Sequence, residues 1–265
     1  MIAPACHDTA SAIAGIPGQG DDWGFISSGT WSLLGTETRE PVINAEAQRL
    51  NFTNEGGVCG AFRLLKNIMG LWLLQGCRRD WKSPARDLGY AELAELARSS
   101  QPFRSLVDPD HPSFLHPASM TEAIARFCEA SRQPAPRDPP ECARAVLESL
   151  ALKYRFVLES LENLTGRTYR EIRVVGGGAR NEMLNQFTAE ATGRPVVAGP
   201  VEATALGNLG MQILATGALR SLDEVRQLIA RSFPARVYEP REPEKWRAPY
   251  ARFKEYCGGS TAPPP

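Results

Sequence analysis

The sequence predicts an α/β fold with a mixed, largely parallel sheet flanked by helices. Two observations lead to this prediction. From residue 171 onward, short β-branched runs alternate with helical patterns, which is typical of parallel strands joined by crossover helices. The chain has 265 residues, of which 43% are hydrophobic and 23% charged, a composition usual for a globular protein that buries a substantial core.

Charge and hydropathy argue against several classes of partner. Lys plus Arg and Asp plus Glu each number 30, so there is no electrostatic case for nucleic acid or for an anionic membrane. No apolar run approaches the ~18 residues of a membrane helix, and the N-terminus lacks the pattern of a signal peptide. We expect a cytoplasmic protein with no nucleic-acid partner and no membrane partner.

The six cysteines are scattered without a C-x-x-C pair, and only three histidines occur. This pattern argues against a zinc ribbon, a thioredoxin-type redox motif and a His-rich metal site. We therefore expect reduced thiols, and no residue is predicted to be a metal ligand.

The N-terminal half contains four predicted elements. Met1–Cys6 is short and apolar and is predicted to be a strand, and Trp23–Ser27 is predicted to be a buried strand. Arg63–Trp81 has a broad apolar face at helical spacing and is predicted to be one helix. Ala123–Glu129 is a short helix candidate.

The clearest helix is Pro139–Asn163, which Asp138 can cap and Gly166 can end. Alternating elements then follow: a strand at Glu171–Val175, a helix at Asn181–Thr192, a strand at Pro195–Ala198, a helix at Glu202–Thr216 and a helix capped by Ser221. One domain is predicted over residues 1–257, with a disordered tail rich in Gly, Ser and Pro at 258–265.

Three glycines, Gly176, Gly177 and Gly178, separate a predicted strand from the helix that begins near Asn181. Glycines at such a turn let the backbone approach a ligand closely, and a helix N-terminus favours an anion. The dinucleotide-binding pattern G-x-G-x-x-G fails at Asn181. An ordinary tight turn between strand and helix remains the alternative.

A second candidate turn, Ser27–Thr30, follows the buried strand. Hydroxyl residues around Gly29 suit phosphate binding, because hydroxyls and backbone N–H groups can converge there. The turn is neither a Walker A loop nor a nucleophile elbow. An ordinary Ser-rich turn is the alternative explanation.

Asp8 follows His7 at the predicted end of the first strand, where ligands usually bind α/β sheets. Phosphoryl transfer needs a carboxylate that accepts a hydroxyl proton, donors for the phosphates, and Mg²⁺. Asp8 is the candidate base, and a capping or turn aspartate is the alternative.

Asn67 and Gln75 lie on the predicted helix 63–81 with Gly70 between them. Eight residues of helix span roughly 12 Å, which is comparable to the reach of a nucleotide. A solvated polar edge of a core-packing helix is the alternative explanation.

In order along the chain, four segments together resemble the C-terminal domain of FGGY-family carbohydrate kinases. The segments are Cys6–Ala12 (CHDTASA), Ile26–Ser32 (ISSGTWS), Val174–Asn181 (VVGGGARN) and Glu202–Asn208 (EATALGN). Asn51–Val58 followed by Arg63–Gln75 is similar to one branch of that family, the kinases that act on L-rhamnulose.

The resemblance implies an actin-like, ribonuclease-H-like ATPase domain. It implies a reaction in which ATP and L-rhamnulose give L-rhamnulose 1-phosphate and ADP, with Mg²⁺. Asp8 would be the base and Gly29 and Thr30 would contact the phosphates. The residues implied to contact or line the nucleotide site are Asn67, Gln75, Gly176, Gly177, Gly178 and Asn181.

Two departures from the family qualify these expectations. Cys6 stands where the family usually has Gly before His-Asp, and its side chain can crowd the turn that positions Asp8. Family members are close to twice as long, and their N-terminal half carries the first phosphate loop, a metal-associated Asp and most sugar contacts. We therefore expect weak nucleotide binding and poor turnover by this chain alone, and a complementary N-terminal kinase domain as a partner. We also expect an exposed apolar or concave patch around Asp8, Thr30 and Gly177 that favours self-association.

Two other classes of function remain for comparison. A non-catalytic module that binds ATP or a partner would fit the missing N-terminal half. A dinucleotide-dependent oxidoreductase rests only on the turn at Gly176–Gly178 and fails at Asn181.

Overall fold

The computed structural model describes residues 2–5, 7–83 and 87–257. The chain forms two compact units that are interleaved in sequence. The first unit comprises Met1–Asn67, Val157–Arg180 and Arg194–Glu239, and the second comprises Ile68–Phe156, Asn181–Gly193 and Pro240–Pro265. Cys6 and the tail predicted at 258–265 lie outside the described residues.

The first unit is built on a seven-stranded sheet with the order β3-β4-β2-β1-β5-β6-β7. The strands are β1 Trp23–Ser28, β2 Ser32–Thr38, β3 Thr53–Gly56, β4 Phe62–Ile68, β5 Glu171–Val175, β6 Val196–Ala198 and β7 Arg236–Tyr238. β5 pairs in parallel with β1 and with β6. The β1–β2, β3–β4 and β6–β7 pairs are antiparallel.

The structure confirms a mixed sheet flanked by helices, and it confirms the three strands predicted near β1, β5 and β6. The parallel part is confined to β1, β5 and β6 among these pairs. The alternation of strands and helices along residues 171–198 predicts only the parallel strands. It does not predict β2, β3 and β4, because these belong to antiparallel hairpins that need no crossover helix.

Ten α-helices occur in the described residues. They are α1 Asp8–Ala14, α2 Ala45–Arg49, α3 Trp72–Trp81, α4 Tyr90–Arg98, α5 Met120–Ala130, α6 Pro139–Thr165, α7 Glu182–Thr192, α8 Ala203–Ala215, α9 Leu222–Ser232 and α10 Arg247–Cys257. No helix in this part of the chain combines the length and apolar character needed to cross a membrane.

The core of the first unit lies between α1 and one face of the sheet. Ile13 of α1 belongs to a buried cluster with Phe25 of β1 and Val175 of β5. Gly24, whose position alternates with Phe25, faces the other side, where a Cβ would meet Leu158 of α6 at 3.5 Å. Helices therefore cover both faces of the central strands.

The second unit is held together mainly by helices and aromatic side chains. Gly76 of α3 fits against Met120 of α5, where a Cβ would lie 2.8 Å from the methionine Cβ. The Trp246 ring contacts the rings of Phe103 and Phe187, with centroids 4.8 and 5.2 Å away.

The helices predicted in the second half of the sequence are confirmed, and so is the short helix near residue 123. Asp138 caps α6 by accepting a 2.9 Å hydrogen bond from the N–H of Glu141. Gly166 and Gly193 follow α6 and α7 with φ of 64° and 66°, as expected of glycines that end helices. Ser221 caps α9 by accepting a hydrogen bond from the N–H of Glu224 at 3.2 Å.

The strand predicted at Met1–Cys6 is wrong over its described part, because residues 2–5 form no strand. Asp8 is the first residue of α1 and His7 is its N-cap, so Asp8 does not end a strand. The apolar character of the first residues was the only signal, and a short apolar run does not specify a strand without a partner.

The single helix predicted at Arg63–Trp81 is also wrong. Its first part is β4, which pairs with β3 in the register Thr53 to Leu65, and only its second part is the helix α3. A turn closed by the Gly57 N–H to Ala61 carbonyl bond of 2.8 Å joins the two strands. Apolar residues at Leu64, Leu65 and Ile68 fit a buried strand as well as a helix, so tertiary pairing decides.

Candidate functional site

The candidate site begins where the neighbouring parallel strands β1 and β5 end. Ser27 of β1 is in register with Val175 of β5. Because parallel strands present their carboxyl ends at one edge, the segments that follow them meet there, which is the usual position of a ligand in an α/β sheet. The structure thereby brings Ser28, which precedes Gly29 and Thr30, against the three-glycine turn.

The three-glycine turn lies directly against the end of β1. Gly176 has φ of 82°, a left-handed conformation that glycine adopts easily. A Cβ on Gly176 would lie 2.8 Å from the carbonyl oxygen of Ser28, and a Cβ on Gly178 would overlap the Ser28 Oγ. A Cβ on Gly177 would meet no atom within 4 Å. The turn is closed on its inner side and open at Gly177.

The connection between β1 and β2 is a tight hairpin whose tip faces outward. The Gly29 N–H donates to the Trp31 carbonyl at 2.8 Å, and Ser28 pairs with Ser32. Thr30 and Trp31 at the tip are exposed, Trp31 by 44%. The tip and the turn at Gly177 thus offer hydroxyl and backbone groups to a ligand in solution.

Asp8 is held locally and remains open to solvent. Its Oδ1 accepts hydrogen bonds from the Thr9 N–H at 2.7 Å and from the Thr9 hydroxyl at 3.3 Å. The side chain is 79% exposed. These contacts fix the carboxylate at the start of α1 without covering it, which suits a group that must reach a substrate proton.

His7 links Asp8 to the β3–β4 hairpin. Its Nδ1 lies 3.7 Å from Asp8 Oδ1 and 3.9 Å from Glu55 Oε2. Glu55 in turn forms a 2.9 Å ion pair with the buried Arg63. Sequence analysis missed Glu55 and Arg63, because Arg63 was predicted to start a helix and no strand was predicted at Thr53–Gly56 to pair with it.

Arg63 is the buried charge of this group. Its Nε and Nη2 both donate to the Gly56 carbonyl, at 3.1 and 3.0 Å. Burial lowers the pKa of Arg63, and the carboxylates of Glu55, Asp8 and Glu37 act in the opposite direction. An arginine inside the apolar run 62–68 was the available signal, since a buried arginine requires partners.

Asn67 and Gln75 do not share a helix. Asn67 is an exposed residue of β4, and Gln75 is a half-buried residue of α3 in the second unit. The helical distance predicted between them is therefore wrong, while their contact with a nucleotide stays a prediction.

Asn181 also belongs to the second unit, where it is the N-cap of α7. Its Oδ1 accepts a 3.0 Å hydrogen bond from the Leu184 N–H. This bond gives Asn181 a structural role, and its predicted place in the nucleotide site stays a prediction.

Among the described residues, no three His, Cys, Asp or Glu side chains are grouped closely enough to hold a metal ion. Kinases usually bind Mg²⁺ through substrate phosphates, waters and one or two carboxylates rather than through a cage of protein ligands. The partly exposed carboxylate of Glu55 fits that chemistry.

The fold is that of the actin-like ATPase domains found in sugar kinases. A xylulose kinase from Lactobacillus acidophilus superposes with a TM-score of 0.67 at 18% identity, over 93% of this chain and 48% of that one. Plasmodium falciparum glycerol kinase, solved with ADP, superposes with a TM-score of 0.62 at 15% identity, over 97% of this chain and 51% of that one.

The chain belongs to the FGGY family of carbohydrate kinases. Residues 24–216 match the C-terminal domain of that family. Rhamnulokinase of Bacteroides thetaiotaomicron is 50% identical over 254 residues, covering 96% of this chain and 52% of that protein. Rhamnulokinase of Enterococcus faecalis is 47% identical over 241 residues, covering 90% and 48%. The chain spans about half the length of the curated relatives it matches.

Proposed function

We propose that this chain supplies the nucleotide site and the catalytic base for the ATP-dependent phosphorylation of a ketose, with L-rhamnulose giving L-rhamnulose 1-phosphate. Family membership supports the class of reaction, and relatives named rhamnulokinase at 40–50% identity support the sugar. The observation that carries the proposal is the glycine turn 176–178, which lies against the end of β1 beside the hairpin tip at Thr30.

The phosphate chain of ATP would lie at this edge of the sheet. Gly29 and Thr30 at the hairpin tip would contact the phosphates, and Gly176, Gly177 and Gly178 would form a turn whose backbone is open to the ligand at Gly177. Asn67, Gln75 and Asn181 would complete the nucleotide contacts. Mg²⁺ bound to the phosphates would neutralise the charge that develops during transfer.

Asp8 would act as the general base. Its carboxylate would accept the proton of the sugar hydroxyl, whose oxygen then attacks the γ-phosphorus while the bond to the bridging oxygen of ADP breaks. The 79% exposure of Asp8 supports this role, because a base must be within hydrogen-bond reach of its proton.

Efficient transfer would require an N-terminal kinase domain as a partner. Phosphoryl transfer depends on positioning and on electrostatic stabilisation in a site protected from water. We therefore assign to this chain alone weak ATP binding and little turnover. The described cysteines carry free thiols, which supports action in the cytoplasm.

The first test is calorimetric titration of the purified chain with ATP and Mg²⁺. The intact chain should bind ATP, and the double variant Asn67→Ala, Gln75→Ala should lose most of that binding. Gln212→Ala, at a solvent-exposed glutamine of α8, is the matched control and should bind as the wild type does. No binding by the intact chain would contradict the proposed nucleotide site.

The second test separates a catalytic half from a non-catalytic ATP-binding module, which is the alternative that the half-length match supports. ADP release from ATP is measured with L-rhamnulose and Mg²⁺, with and without the separately purified N-terminal half of a rhamnulokinase relative. Sugar-dependent ADP release with both halves supports the kinase. Its absence, with ATP binding intact, favours the binding module.

A further inference from the structure

The side-chain hydroxyl of Ser28 is buried and has no hydrogen-bond partner. Ser28 is the last residue of β1 and is 3% exposed. Among the described residues, its Oγ is one of the few buried side-chain nitrogen or oxygen atoms that lack a hydrogen-bond partner. Folded proteins satisfy most buried polar groups, so such an atom calls for a specific explanation.

The position of this hydroxyl provides the explanation. Ser28 Oγ lies directly beneath the glycine turn, because a Cβ on Gly178 would overlap it. The same residue carries the carbonyl oxygen that a Cβ on Gly176 would approach to 2.8 Å. The unpartnered donor is thus at the junction of the two segments to which phosphate binding is assigned.

The glycine turn is the segment that covers this donor. Three consecutive glycines have no side chains to repack, and glycine adopts both left- and right-handed conformations readily. The turn is open to solvent at Gly177, where a Cβ would meet nothing within 4 Å. A displacement of the turn therefore has room on its outer side.

We propose that Ser28 is a further nucleotide-site residue, whose hydroxyl donates a hydrogen bond to the phosphate chain of a bound nucleoside triphosphate when the glycine turn moves aside. This inference rests on the function proposed above and adds a ligand contact on the inner side of the turn. In the absence of nucleotide the buried hydroxyl destabilises the fold slightly, and the bound phosphate satisfies it.

The test compares Ser28→Ala with the wild-type chain in two measurements. Thermal unfolding without ligand should show an equal or higher Tm for Ser28→Ala, because the variant removes a buried group that has no partner. Titration with ATP and Mg²⁺ should show a Kd at least about tenfold higher, as expected for a lost bond to a charged group. Adenosine, which has no phosphate, should bind both proteins equally.

Thr38→Val is the matched control. Thr38 ends β2, and its hydroxyl oxygen is also buried without a partner. It lies six residues along β2 from Ser32, the partner of Ser28, or about 20 Å away. The variant removes a similar hydroxyl away from the glycine turn, so its Tm should likewise hold or rise, while its ATP Kd should stay unchanged.

Each outcome has a distinct meaning. If the wild type binds ATP and Ser28→Ala binds it equally well, the role of Ser28 is overturned and the proposed function stands. If Ser28→Ala weakens adenosine as much as ATP, or lowers the Tm, the serine is structural and the inference is overturned. If the wild type does not bind ATP, the proposed nucleotide site fails, and the Ser28 inference fails with it.

Discussion

At the scale of single residues, the contacts of the glycine turn explain why two of its three positions cannot carry a side chain. A Cβ on Gly178 would overlap Ser28 Oγ, and a Cβ on Gly177 would touch nothing. The sequence shows three equivalent glycines, and only the neighbouring strand distinguishes the two that are required for packing, Gly176 and Gly178, from Gly177, which is exposed. Glu148 of α6 shows in the same way how burial changes the chemistry of one residue.

Glu148 is buried and accepts 2.8 Å hydrogen bonds from Arg144 Nε and from the Phe103 N–H. Burial raises its pKa from 4.5 to about 7, although Arg144, the Phe103 N–H and Arg252 act in the opposite direction. The folded state therefore binds a proton more tightly than the unfolded state. Stability contributed by this group is present at low pH and declines as pH rises from 4.5 towards 7.

Glu148→Gln should remove this dependence, because the amide keeps the shape of the protonated acid and does not ionise. Relative to the wild type, the variant should gain up to about 3 kcal/mol of unfolding free energy between pH 5 and pH 8. Urea unfolding at both pH values measures the change. Glu95→Gln, at a side chain 77% exposed, is the control for loss of a carboxylate. If the free energies of unfolding of the wild type and the variant differ by the same amount at both pH values, the prediction is contradicted.

At the scale of elements, α1 and α8 pack so closely that only glycines fit where they meet. A Cβ on Gly15 would lie 2.9 Å from the Gly207 N, and a Cβ on Gly207 would overlap the Ser11 carbonyl oxygen. Backbone atoms cannot move aside as the end of a side chain can. The close contact fixes α1, and therefore Asp8, on the sheet.

Gly207→Ala should destabilise the fold by about 3 kcal/mol or more, because the added methyl group overpacks two backbones. Gly210→Ala on the same helix is the comparison, since its Cβ would meet mainly the Val225 side chain. That side chain can rotate, so Gly210→Ala should be less destabilising. Urea unfolding of both variants measures the difference, and equal losses would show that backbone contact is not the cause.

The elements that the sequence predicted well carry their own boundaries. α6 has the cap Asp138 and the terminating Gly166, and α7 has Asn181 and Gly193. The segment 62–81 contains no capping residue that would mark where its strand ends and its helix begins. Its first seven residues become β4 because β3 is available to pair with them, and that pairing joins residues up to twelve apart in sequence.

At the scale of the whole molecule, the phosphate-binding turns and the base proposed for this chain lie in separate parts of its first unit. The two turns proposed to bind phosphate follow β1 and β5, while Asp8 starts α1 beside the β3–β4 hairpin. Binding of ATP and removal of the sugar proton should therefore respond separately to mutation.

Asp8→Asn should abolish transfer without loss of ATP binding. In the enzyme assembled from this chain and the N-terminal half of a relative, kcat should fall by about 10²-fold or more, because the amide cannot accept the proton. Calorimetric titration of the variant chain with ATP and Mg²⁺ should match the wild type, and unchanged thermal unfolding serves as the folding control. Retained turnover would show that another group is the base.

The sequence by itself determined the family, the αβ alternation after residue 171, the capped helices and the glycines beside a strand, because these depend on local residue patterns. Only the tertiary structure decided that residues 62–68 form a strand and that Glu55 and Arg63 lie beside His7 and Asp8. It alone left Ser28 Oγ buried without a partner. These features arise from contacts between residues distant in sequence, and local propensity does not encode which distant partner a segment meets.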